Sequence, residues 1–62
     1  MKTVEITVIL TGEQAWDLAQ YLKRAGFNDY RRNAVSDEEA YRMLEAGEIV
    51  RRALAEEGYA PR

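Results

Sequence analysis

The chain has 62 residues, a formal net charge of −2 and 47% apolar residues, with neither cysteine nor histidine. That length bounds it to one small domain, residues 1–62, near the lower limit for folding alone. Disulfides are excluded, and so are the commonest metal ligands and the commonest general base.

The apolar content is too high for disorder. The slightly acidic balance does not favour non-specific binding to nucleic acid or to a membrane surface. Glu5 and the neighbouring threonines interrupt any signal-peptide pattern, and no apolar run reaches membrane-spanning length. A cytoplasmic protein is the expectation.

Residues 2–10 alternate. Val4, Ile6, Val8 and Leu10 share one face, and Thr3, Glu5 and Thr7 share the other. A period of two with β-branched residues predicts a half-buried strand. No second strand is legible, and a lone strand leaves its backbone groups and apolar edge open. The pattern therefore predicts antiparallel pairing with a second copy, with Val4, Ile6, Val8 and Leu10 as the dimer strand.

Thr11 and Gln14 have the spacing of a capping box, which opens a helix over 12–25. Ala15, Leu18, Ala19, Leu22 and Ala25 form its apolar stripe, flanked by Trp16 and Tyr21. Lys23 and Arg24 suit its negative end, and Gly26 is expected to stop it in a left-handed conformation. Residues 27–35 read as a short helix or turn, anchored by Phe27 and Val35.

Ser36 and Glu39 form a second capping box, opening a helix that runs to about Glu57 and ends at Gly58. Ion pairs at four-residue spacing are expected for Glu38–Arg42, Glu48–Arg52 and Arg52–Glu56. Ala40, Met43, Leu44, Gly47, Val50 and Leu54 form the buried face, widened by Ala46, Ile49 and Ala53. Gly47 costs about 1 kcal/mol relative to alanine in mid-helix. It marks either a close crossing or a tolerated weak spot. The sum is an α+β fold, strand–helix–turn–helix, dimerised through the strands.

No catalytic set emerges. Ser36, the only serine, has a cap to make and no base to activate it. The carboxylates of Glu38, Glu39, Glu45, Glu48, Glu56 and Glu57 are spaced as a solvated helix surface, and Asp37, Glu38 and Glu39 suit a helix N-terminus without any metal. No glycine-rich phosphate loop is present. The expectation is no enzyme, no cofactor and no metal. A contact patch is expected at Tyr30, Arg31 and Arg32, since tyrosine and arginine dominate many binding interfaces. The alternative is a solvated turn with Tyr30 lying on the core.

The run from Val4 to Gly26, with its alternating segment, Thr11 cap, Glu13-Gln14-Ala15, Leu18 and Leu22, resembles the ribbon-helix-helix dimers. That resemblance implies a DNA-binding regulator or antitoxin whose outward strand residues, here Thr3, Glu5 and Thr7, read bases in the major groove. The chain departs from the pattern. Glutamate is a poor base reader, and Asp37-Glu38-Glu39 stands where the family holds phosphate.

Gln14-Ala15-Trp16-Asp17-Leu18-Ala19, Phe27-Asn28-Asp29-Tyr30-Arg31 and Ala53-Leu54-Ala55-Glu56-Glu57-Gly58-Tyr59 look like small proteins of proteobacterial chromosomes and mobile elements. This second resemblance brings no activity and no site residues. The sequence thus favours a homodimeric, non-enzymatic protein-interaction module, pictured as a phage or mobile-element accessory or inhibitor. The partners expected are a second copy and another protein. Nucleic acid is the runner-up, and a membrane is not expected.

Overall fold

A computed structural model describes residues 2–62. Three helices follow one another: α1 (Gly12–Arg24), α2 (Phe27–Arg31) and α3 (Asp37–Glu56). Among the described residues there is no strand. The α+β expectation is thereby corrected to an all-helical fold. Residues 2–10 form an arm without regular structure, and none of its backbone groups makes a hydrogen bond among the described residues. Alternation specifies which side chains share a face. It does not supply the neighbouring strand that a ladder requires.

α1 begins as its cap dictates. The Gln14 N–H donates to Thr11 Oγ1 at 3.0 Å, and the Thr11 N–H donates to Gln14 Oε1 at 3.0 Å. Ala15, Ala19 and Leu22 form its buried face. The helix leaves through extended backbone at Ala25 (φ −68°, ψ 121°), whose N–H still reaches the Tyr21 carbonyl at 2.8 Å. The left-handed stop expected at Gly26 is absent. Gly26 is itself extended and caps α2, donating its N–H to Asp29 Oδ2 at 2.7 Å.

α2 is a single helical turn, followed by a hydrogen-bonded turn through Ala34. Phe27 packs on Tyr41 of α3 with ring centroids 4.7 Å apart. Val35, expected as the other anchor, is 88% exposed.

α3 starts at Ser36, whose Oγ accepts from the Glu39 N–H at 3.2 Å. The return half of the box is displaced by one residue: Glu39 Oε1 accepts from the Val35 N–H at 2.9 Å. At the other end Gly58 has φ +95°. The Tyr59 N–H reaches the Leu54 carbonyl at 2.9 Å and the Gly58 N–H reaches that of Ala55 at 3.0 Å. This is the Schellman pattern, which takes up two carbonyls that the helix end leaves without partners. The three expected four-residue ion pairs do not close. Arg51 instead meets Glu48, three residues away, at 3.4 Å.

α3 packs against both α1 and α2. Where the elements meet, the residues are small. The buried apolar side chains are Ala15, Ala19, Leu22 and Ala40, with Gly47 buried beside them. Of the larger residues expected inside, Met43, Leu44 and Leu54 are half-buried, while Leu18 and Val50 lie at the surface. The radius of gyration is 12.5 Å. A compact chain of this length would have about 10.5 Å. The arm accounts for the excess in kind, since it holds to no other element by backbone hydrogen bonds.

Candidate interaction surface

Tyr30 turns inward from α2 and lies across Gly47. A Cβ built on Gly47 would overlap the Tyr30 hydroxyl, stand 3.1 Å from Tyr30 Cζ and 3.4 Å from Leu22 Cδ2. The glycine therefore marks a close crossing, and what crosses it is an aromatic ring. The Tyr30 hydroxyl is buried and makes no hydrogen bond. Its pKa is raised, first by loss of solvation and then by the nearby Glu48 carboxylate.

The two arginines beside Tyr30 are engaged within the chain. Arg31 Nε donates to Asp37 Oδ1 at 2.7 Å and its Nη1 donates to the Ala34 carbonyl at 3.0 Å, tying α2 to the start of α3. Arg32 Nη2 donates to Asp29 Oδ1 at 2.6 Å. Asp29 thus accepts from a backbone N–H and a guanidinium, and these two bonds hold its pKa below the ordinary 3.8. Tyr30 turns its hydroxyl into the fold, while the guanidiniums of Arg31 and Arg32 are paired within the chain, that of Arg32 at the surface.

The other expected residues form a different feature. Val4, Ile6 and Val8 are all more than 60% exposed, and Leu10 is 38% exposed. The arm runs beside an open groove of about 560 Å³. Ile6, Val8 and Leu10 line one side. Ala15 and Leu18 of α1, with Val50, Ala53 and Leu54 of α3, line the rest. Glu57 is the only charged group among the lining residues, and Thr7 and Tyr59 are the only others with polar side-chain atoms. Tyr59 fixes this end of the helix pair. Its hydroxyl would stand 3.2 Å from a Cβ on Gly12, and its ring meets Trp16 edge-on at 6.5 Å.

A second depression, of about 440 Å³, lies between Trp16, Asp17, Gln20, Tyr21, Arg24 and Asp29. It mixes charges of both signs, and its Asp29 is already bonded to Gly26 and Arg32. Among the described residues no three acidic side chains are grouped as metal ligands would be. No helix among them is long and apolar enough to cross a membrane.

Residues 1–62 match a family of unknown function, DUF7706. The chain belongs to that family. No curated protein and no solved structure matches it. The DUF7706 match covers the arm as well as the helices.

Two features of this DUF7706 chain escape sequence reasoning. One is what the inward Tyr30 packs against, its lying on the core being one of the two expectations. Gly47 signals a close approach, yet nothing in the spacing says which residue approaches it. The other is the groove, whose α1 and α3 walls are built from residues that read as ordinary core.

Proposed function

We propose that this chain is a small, non-enzymatic protein-interaction module that binds through its arm and groove. One observation carries the reading. The large apolar side chains of the arm and groove are mostly outside, while the buried apolar set is three alanines and one leucine. Contiguous exposed apolar surface on a small protein marks an interaction site. An alternating apolar segment beside an apolar groove offers a partner both a projection and a recess. The absence of charge from the lining, Glu57 apart, fits a protein surface better than a phosphate backbone, which needs basic groups.

Photo-crosslinking in cells that make the protein naturally tests this. Ile9 is 97% exposed, so a photoreactive amino acid placed there disturbs no packing. The expected result is a discrete crosslinked protein product. Crosslinks to nucleic acid alone, or no product at all, would overturn the reading.

A further inference from the structure

Resting on the reading of the arm and groove as an interaction site, we infer that the occupant of the groove is a second copy of this chain. Three observations converge on it.

The first is area. Val4, Ile6, Val8 and Ile9 of the arm and Leu18 and Val50 of the groove walls are exposed. Together they present on the order of 700 Å², close to the ~800 Å² that each partner contributes to a standard-size interface. A patch this large on a chain of 5361 Å² total surface matches a stable interface rather than the background of scattered apolar residues.

The second is that the surface is complementary to itself. Each copy carries one apolar arm that needs covering and one apolar groove that needs filling. A twofold axis lets each arm cover the other copy's groove and closes the assembly at two. A foreign partner would have to supply both a filler and a cover. The inference concerns burial of side chains and does not depend on the arm acquiring regular structure.

The third is charge. A self-contacting face must not set like charges against each other. The arm carries Lys2 and Glu5, which cancel, and the groove lining carries only Glu57. This face carries little charge to set against its own copy, and little to select a charged stranger.

Light scattering at micromolar concentration gives the test. The unmodified chain is expected at twice 7.1 kDa. Ile6→Lys alters a side chain that is 72% exposed in the single chain, and Val50→Lys one that is 39% exposed on the opposite wall. Each substitution removes two buried aliphatic groups per dimer and places charges in their stead, so self-association is expected to weaken at least ~100-fold. Helical circular dichroism should persist in Ile6→Lys. Should Val50→Lys fail to fold, Ile6→Lys alone decides the matter.

A folded species of 7.1 kDa from the unmodified chain would overturn the inference, because the exposed arm and open groove would then need no second copy. So would a dimer indifferent to Ile6→Lys, which would place the contact elsewhere. The Ile9 crosslink separates this inference from the reading beneath it. A product heavier by one copy supports both. A product with a different protein only overturns the second copy and leaves the interaction module standing.

Discussion

The hydroxyl of Tyr30 occupies the place where a side chain on Gly47 would begin. This contact fixes how closely α2 and α3 approach, and it is made by a polar atom with no hydrogen-bond partner. It has a consequence for each partner.

Gly47→Ala is expected to destabilise the fold although it improves helix propensity. The propensity gain is about 1 kcal/mol. Against it stands the overlap with the ring, at a typical overpacking cost of about 1–3 kcal/mol. Urea unfolding should show a net loss. Tyr30→Phe removes the hydroxyl that overlaps most, so Gly47→Ala should cost less in that background. By itself Tyr30→Phe should be neutral or stabilising by up to ~1 kcal/mol, since an unsatisfied buried hydroxyl is lost.

Gly58→Ala gives a contrasting case. Nothing lies within 4 Å of a Cβ there, so any effect comes from the backbone, held at φ +95°. A left-handed conformation costs an L-residue about 1–2 kcal/mol. Thermal unfolding should show that loss unchanged by Tyr30→Phe, unlike the loss at Gly47.

The two perturbed groups predict opposite pH edges. Tyr30 has its pKa raised in the fold above the ordinary 10.0. The folded chain therefore holds this proton where the unfolded chain has released it. The contribution is intact below pH 10 and is lost as pH rises through the raised value. Asp29 has its pKa lowered below 3.8. Its contribution is present above pH 3.8 and is lost as pH falls through the lowered value. Unfolding curves across pH should show the alkaline loss diminished in Tyr30→Phe and the acid loss diminished in Asp29→Asn.

Arg31 and Arg32 should contribute little to nucleic-acid binding, since both guanidiniums are paired with aspartates. Random duplex DNA is expected to show no mobility shift at physiological salt. Because these are partly exposed ion pairs, Arg31→Ala and Arg32→Ala should each cost no more than about 1 kcal/mol in urea unfolding. Tight, salt-sensitive binding lost on reversing these charges would instead favour a DNA-binding regulator.

The helices were legible because their ends are written in short-range chemistry. Thr11 with Gln14, Ser36 with the Glu39 N–H, and Gly58 each act within a few residues, and each stands where the pattern placed it. The arm was not legible as to structure. Its alternation identifies an apolar face, but a strand also needs a neighbour, and a single chain offers none. The site divided along the same line. Val4, Ile6, Val8 and Leu10 share a face by pattern alone, whereas the choice between an outward and an inward Tyr30 rests on a contact with Gly47, seventeen positions away, that no periodicity encodes.

Two copies associating through the arm would bury the apolar side chains that a single chain leaves exposed. Native mass spectrometry of a mixture of light and isotopically heavy chains tests it most directly. A dimer of intermediate mass, formed from one light and one heavy copy, is expected, and its loss in Ile6→Lys. Only the two monomer masses, from chains that remain helical, would contradict it.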